Sequence, residues 1–591
     1  MSSDSRLGYA STACCKSRRL VLRIVRLFWL LLLMWTCGCQ NKATSTSQPA
    51  HAPAHAPTHA PVSQSHFASR ESDTLALCSF HNGKEAGLNS ILEIVGGGVA
   101  CIDYDSDGNV DLLFAGGGTI DRVGESISGL NCQLLQGDGH WNFKNRSDQA
   151  RLDTARIYSH GITVSDYDQD GFEDVLVYGY RGVVLLHNQG DGTFFEAPWS
   201  GLANAGWITA AAWLDVNRDQ LIDLYLGSYV DWDIAKNQVC QSRTGQPDVC
   251  SPNAFNGSEN AVFINQGDGT FSIESDAIKT DQPSKTLGVL AAEFSRDQGV
   301  GLYVANDLLA NFLFTRRGDR FEEHAFASGV AVDDEGVANG SMGIAMLDFN
   351  LDRKFDLFVT NFENEKMALY LNEGSDVFRY ASRKVGLNRA DLKLVAFGTV
   401  AADFDSDGDE DIVFASGHVH YHPDEGKMEL LPAYLQNEAG KTLSHFKPDC
   451  SFFNNPSVGR GLATADIDND GDLDLVGTHL FGPPSLIENT GRLDKNWLTV
   501  QLVGINVPRT PIGTTAELTV GSRVMIRQLY GGGSYLSHSQ SRLHFAWPSE
   551  QVVDKVDLLL RWPDGASQQV QVSPGQNVVL LQQDANQIGS K

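Results

Sequence analysis

Aspartates recur along this chain at alternate positions ahead of a glycine, a spacing that gathers hard oxygen donors around one point. The clearest copies are DYDSDGNVD, with Asp103, Asp105, Asp107 and Asp111, and DYDQDGFED, with Asp166, Asp168, Asp170 and Asp174. DFDSDGDED supplies Asp403, Asp405, Asp407 and Asp411, and DIDNDGDLD supplies Asp466, Asp468, Asp470 and Asp474. Carboxylates at positions 1, 3 and 5 with glycine at 6 form the pattern of a calcium loop, in which the glycine lets the chain reverse. Held within a few ångströms and without a cation, such carboxylates repel one another, so calcium is the expected occupant. Position 7 is Asn109, Phe172, Asp409 and Asp472 in turn, a freedom expected of a residue that coordinates through its backbone carbonyl.

Three further copies are weaker. DVNRDQLID keeps Asp215, Asn217, Asp219 and Asp223 but puts Gln220 at the glycine position, where a left-handed backbone is costly. DFNLDRKFD keeps Asp348, Asn350, Asp352 and Asp356 but adds Arg353 and Lys354, whose charges oppose a cation. EFSRDQGVG at Glu293 has lost the ninth-position acid and is expected to hold no metal.

The elements that position these loops are strands. Apolar, β-prone runs follow the ninth position, as in LLFAG after Asp111 and IVFAS after Asp411, so each loop joins two strands and not two helices. Loop starts at 103, 166, 215, 293, 348, 403 and 466 mark seven units of 49 to 78 residues, a period of stacked supersecondary units. Later in the unit comes a second apolar segment with a G-D-G turn, as in LLHNQGDGTF at Leu185 to Phe194, which makes about four antiparallel strands per unit. Seven such sheets arranged radially give an all-β, seven-bladed β-propeller, an architecture that leaves no long open edge. The last unit lacks an obvious fourth strand, and the segment around Thr74 to His81 is expected to supply it.

With these motifs in place a resemblance is evident. The units look like the FG-GAP/VCBS repeats of integrin α-subunit propellers, and the whole chain is similar to bacterial proteins of the cartilage acidic protein family. The stretch from Asn496 to Trp547, with its NWL start and GGGSYLSHS core, followed by VDLLLRWPDG at Val556 to Gly565, resembles the ASPIC/UnbV domain. Read by itself, it alternates apolar and polar residues at Leu498, Val500 and Leu502, which marks half-buried strands and suggests a small β-sandwich-like module. Gly531, Gly532 and Gly533 beside Tyr535 indicate a hairpin turn, a close backbone approach or a ligand-contact loop. Cys240 and Cys250 flank a loop that resembles a family feature, which implies a disulfide between them.

The expected organisation is a signal peptide over 1–39, a His/Ala/Pro-rich linker over 40–73, the propeller over 74–494, the ASPIC/UnbV domain over 495–578 and a tail over 579–591. Arginines precede the apolar core Leu27 to Trp35, which is too short to span a bilayer and has the layout of a secretory signal. Thr36-Cys37-Gly38-Cys39 resembles a lipobox with lipidation at Cys39, although Thr36 stands where leucine is usual. The protein is expected to be exported, as an outer membrane lipoprotein or in the periplasm or at the cell surface. His51, His55 and His59 lie in a proline-spaced tract that reads as a spacer.

A formal charge of −28 over 591 residues argues against nucleic-acid binding, which needs a basic footprint. No nucleophile elbow, zinc-protease motif or phosphate loop is present, and no catalytic residue or organic cofactor is assigned. The cluster His418, His420, His422, Asp424 and Glu425 could ligate zinc or iron, and its plainer reading is a polar connecting loop. Two functional classes follow: a calcium-stabilised recognition or adhesion module for protein or carbohydrate, or an enzyme or biosynthetic accessory protein with its pocket at the propeller channel or the domain junction.

Overall fold

The computed structural model describes residues 67–583, apart from 124, 199, 203–205, 281, 297, 388–392 and 492–495. The signal peptide, Cys39 and the linker up to residue 66 lie outside the described residues. Seven antiparallel sheets dominate what is described, and each repeats one plan. In the second sheet, Tyr158–Ser165 enters, the acidic loop turns the chain, and Asp174–Tyr180, Gly182–Asn188 and Phe194–Glu196 follow outward in order. Inner strands such as Ile208–Leu214 are buried throughout, which is why their sequences run apolar without alternation.

First strands touch in succession: Val99–Ile102, Tyr158–Ser165, Ile208–Leu214, Thr286–Ala292, Ile344–Leu347, Ala396–Ala402 and Gly459–Ala465, the last returning to the first. Between consecutive sheets lie separate apolar layers. Ile102, Leu113 and Leu134 of the first sheet meet Ile162, Val175 and Val184 of the second. Leu112 and Phe114 of the first meet Ala463 and Val476 of the seventh. The sheets thus close on themselves around an axis, each burying both faces.

The fourth strand of the seventh sheet is Phe67–Arg70, paired antiparallel with Ser485–Asn489. The expectation for Thr74 to His81 is corrected here. Asp73–Cys78 is a short 3-10 helix whose Leu75 and Cys78 pack under the first sheet, and the closing strand falls within the stretch assigned to the linker. Alternating Phe67 and Ser69 suits an outer strand, and Arg70 adds an ion pair to Glu488 at 2.5 Å.

The C-terminal module carries two sheets. Trp497–Val503 pairs with Leu543–Ala546 antiparallel and with Gln576–Leu581 parallel. Opposite lie Arg523–Gln528, Thr515–Val520, Val556–Arg561 and Ser567–Val572 in spatial order. Leu498, Val500, Leu518, Phe545, Leu558 and Leu560 fill the space between them. Because Gln576–Leu581 is a strand of this module, the boundary expected at 578 moves outward and part of the assigned tail is structured.

Candidate metal centre

Each acidic loop leaves the end of an inner strand and returns as the second strand of its sheet, so all loops crowd one end of the axis. Their turn is left-handed at two points. Position 6 has φ of +88° at Gly108, +104° at Gly171, +89° at Gly408 and +97° at Gly471, and Gln220 and Arg353 adopt +74° and +64° there at the cost that glycine avoids. Position 4 is also left-handed, at Ser106, Gln169, Arg218, Leu351, Ser406 and Asn469, a requirement that polar or flexible residue types alone did not reveal.

Carboxylate oxygens converge in the four intact loops. Asp103, Asp105 and Asp107 bring oxygens within 4.8 Å of one another, as do Asp166, Asp168 and Asp170, Asp403, Asp405 and Asp407, and Asp466, Asp468 and Asp474. One oxygen each of Asp103, Asp166 and Asp468 is buried without a hydrogen-bond partner among the described residues. Burial, reinforced by neighbouring carboxylates, pushes Asp166, Asp405 and Asp466 up to about 7 and Asp472 up to about 8. Converging carboxylate oxygens, some without a partner and mutually repelling, fit a divalent cation, and at the second loop His187 adds a nitrogen to the set.

The ninth-position aspartate has a second job. Asp174 accepts the Tyr167 amide at 3.1 Å and the Asn188 amide at 2.8 Å, pinning loop, second strand and third strand together. Asp111, Asp223, Asp356 and Asp474 each accept two amides in the same way. In five of the sheets an asparagine then stitches the sheet to the one before it. Asn188 donates its side-chain amide to Tyr104 O, Asn265 to Tyr167 O, Asn372 to Phe294 O, Asn437 to Phe349 O and Asn489 to Phe404 O. Where the fourth sheet lacks this asparagine, the buried Arg316 donates to Val216 O in its place. Sequence reading missed these residues, although the recurring Asn two or three residues before a glycine was their signal.

Acidic ligand atoms do not converge in this way at 215 and 348 among the described residues. Asn217 donates to Asp219 at 2.8 Å, Lys354 holds Asp352 at 2.6 Å, and Asp215, Asp223, Asp348 and Asp356 are left in the pinning role. The histidine cluster is a connector. The amides of Tyr421 and His422 both donate to Asp248 at 2.9 Å, and His418 Nδ1 accepts the His420 amide. Cys240 and Cys250 form the disulfide, and Cys78, Cys101, Cys132 and Cys450 are buried free thiols.

The C-terminal module sits directly on the loop end. Arg509 Nε lies 3.0 Å from Asp166 Oδ2, Arg527 lies 3.2 Å from Glu410, and Arg523 donates to Asp407 O. His544 Nε2 is 2.7 Å from Gly471 O. From this platform residues 531–540 run down the axis. Gly531–Gly532 adds to the edge of Thr286–Ala292, Ser534 exchanges amide bonds with Ile344, Ile162 donates to Leu536 O, and His538 bonds Val99 and Cys101. A Cβ on Gly531 would stand 2.2 Å from Trp213 O and one on Gly532 2.3 Å from Val289 O, so the glycines serve close backbone approach and not a free loop. At the far end Tyr535 donates to Val95 O and packs on Phe397, over which the buried Arg460 lies at 4.1 Å. Arg460 in turn holds Ile94 O and Gly417 O, closing that end of the axis.

The sequence matches the FG-GAP-like repeat model over residues 166–226 and 348–414, and the ASPIC and UnbV model over 504–588. The chain thus carries stretches similar to FG-GAP-like repeats and, at its C-terminal end, to the ASPIC and UnbV domain. It is 24% identical over 501 residues to cartilage acidic protein 1 of Xenopus tropicalis, covering 79% of this chain and 70% of that protein. Human cartilage acidic protein 1 is 25% identical over 495 residues, covering 71% of each. Among solved structures, an Agrocybe aegerita lectin that recognises non-reducing terminal N-acetylglucosamine aligns with a TM-score of 0.39 at 13% identity, covering 65% of this chain and 85% of the lectin. The six-bladed β-propeller lectin of Aleuria aurantia aligns with a TM-score of 0.30 at 11% identity, covering 59% and 94%.

Proposed function

We propose that this protein is an exported, seven-bladed propeller stabilised by calcium that acts as a recognition module for a protein or carbohydrate. The observation that carries this reading is the closed axis. Residues 531–540 fill the axis from the loop end, and Arg460 with its carbonyl partners seals the other, so the axis offers no open channel for a substrate pocket. Binding then falls to outward surfaces held rigid by the loops. The four converging aspartate sets would hold the cations, which neutralise repulsion that the fold otherwise carries beneath the C-terminal module.

The junction offers one such surface. A cleft of about 450 Å³ between the loops at 215 and 293 and the C-terminal module is lined by Arg218, Arg296, Arg316 and Arg561 together with Asp215, Glu293 and Asp564, a mixed polar lining suited to a hydrogen-bonding ligand. Export through the N-terminal signal and tethering at Cys39 would present the propeller at the cell envelope, with the proline-spaced linker as its stalk. The test is a glycan array and an extracellular-protein pull-down, each run in calcium and in EDTA, alongside calorimetry. Expected are about four calcium ions per chain, a melting temperature lowered by EDTA and ligand retention only in calcium. Absence of calcium binding, or turnover of a substrate by the purified chain, overturns the reading.

A further inference from the structure

The second sheet differs from the others at one position that faces its metal loop. On each third strand this is the residue just before the amide that caps the ninth-position aspartate: Gln136, His187, Ile264, Leu371, Gln436 and Glu488. In the first and sixth sheets the glutamine donates its amide to the third-position aspartate, Gln136 to Asp105 and Gln436 to Asp405, both at 2.5 Å. In the third and fifth sheets, where the loops are degenerate, the position is aliphatic. In these four sheets occupancy of the position follows the state of the loop beneath it, and in the seventh Glu488 takes the position, paired with Arg70.

His187 behaves as neither class. Its Nδ1 lies 3.1 Å from Asp168 Oδ2 and 3.2 Å from Asp174 Oδ1, and the three ligand atoms fall within 4.8 Å of one another. That nitrogen is buried and faces only these two carboxylates. A ring nitrogen held between two carboxylate oxygens, at 3.1 and 3.2 Å, stands where a ligand to a shared ion would stand. Asp166 adds a further buried, unpartnered oxygen to the same loop.

Resting on the reading that the intact loops hold cations, we infer that the loop of the second sheet is a mixed imidazole–carboxylate site, with His187 as a ligand, that takes a divalent transition metal of the zinc or manganese class in preference to calcium. Calcium takes oxygen donors almost exclusively, and a nitrogen donor gives up affinity for it. Imidazole suits zinc and its first-row neighbours, so one histidine among carboxylates shifts the preference of a single site while the other three loops keep all-oxygen sets. Sheets one and six supply the natural control, because a glutamine there keeps the same stalk length without the nitrogen ligand.

The test uses the full chain, stripped of metal and equilibrated with cobalt(II) or zinc in millimolar calcium, then desalted and assayed for metal content. Expected is one transition-metal ion per chain retained above the His187→Gln variant, with cobalt absorption bands for imidazole ligation that the variant loses and an affinity at least about tenfold weaker in the variant. His51, His55 and His59 contribute equally to both proteins, so the difference between them reads His187 alone. Asp168→Asn should abolish the same retention, and melting curves in calcium confirm that both variants fold. Equal transition-metal content in wild type and His187→Gln overturns the assignment while leaving calcium binding intact, and loss of calcium binding at every loop overturns the underlying reading as well.

Discussion

Replacing Gly98 by alanine tests whether the axial segment is integral to the fold or merely laid into it. A Cβ at this position would stand 1.9 Å from Leu536 O and 2.4 Å from its carbonyl carbon. Carbon contacts settle at about 3.5–4.0 Å, and the obstruction is backbone, so the segment around Leu536 must retreat by more than an ångström. Four hydrogen bonds depend on its present seat: Ile162 N–H to Leu536 O at 3.2 Å, His538 N–H to Val99 O at 2.8 Å, Cys101 N–H to His538 O at 2.9 Å and Val99 N–H to Ser537 Oγ at 3.3 Å. At a net ~0.5–1.5 kcal/mol each, their loss amounts to about 2–6 kcal/mol. With unfolding entropy near ~2.1 cal/mol/K per residue over a body of roughly 500 residues, that lowers Tm by about 2–6 °C. Differential scanning calorimetry in saturating calcium reads the shift, and limited proteolysis should reveal a new cut beside Tyr535. Tyr535→Phe, which removes only the bond to Val95 O, sets the lower rung at about 1 kcal/mol. A Gly98→Ala protein that melts within a degree of wild type and resists protease at Tyr535 would refute the reasoning.

Two further outcomes are expected. The double substitution Arg353→Gly and Lys354→Asp removes the left-handed arginine and the lysine that holds Asp352 at 2.6 Å, so calorimetry should count one additional calcium ion per chain; an unchanged stoichiometry contradicts the account of that loop. Burial holds His160, His479 and His544 down at about 4, so the unfolded chain takes up their protons from about pH 6.5 while the folded chain does not. Their contribution to stability is complete above pH 6.5 and lost as the pH falls toward 4, at about 3 kcal/mol for each histidine, and denaturant titrations across that range should show a slope reduced by one proton in His160→Gln.

Much of this molecule is written in local residue types. The aspartate spacing, the glycine that turns each loop and the β-prone runs behind it are short-range signals, because an acidic loop and its two strands are contiguous in the chain, as from Val99 to Phe114. Gln220, Arg353 and Lys354 are local signals too, since each acts on its own loop. The disulfide followed from resemblance and not from spacing. What the sequence could not show depends on partners hundreds of residues away. Phe67–Arg70 reads as four unremarkable linker residues until Ser485–Asn489 offers an edge to pair with. His187 reads as one residue of a hairpin until the loop folds back beneath it. The GGGSYLSHS stretch supports a turn, a close approach or a ligand loop equally well, because glycine's freedom says only that something comes near. By itself the sequence determined the repeating unit and its acidic turns, through interactions that close within each repeat. Only the tertiary structure decided that the C-terminal module presses on those turns and threads the axis, because that choice is set by packing and backbone pairing against the inner strands of several sheets at once.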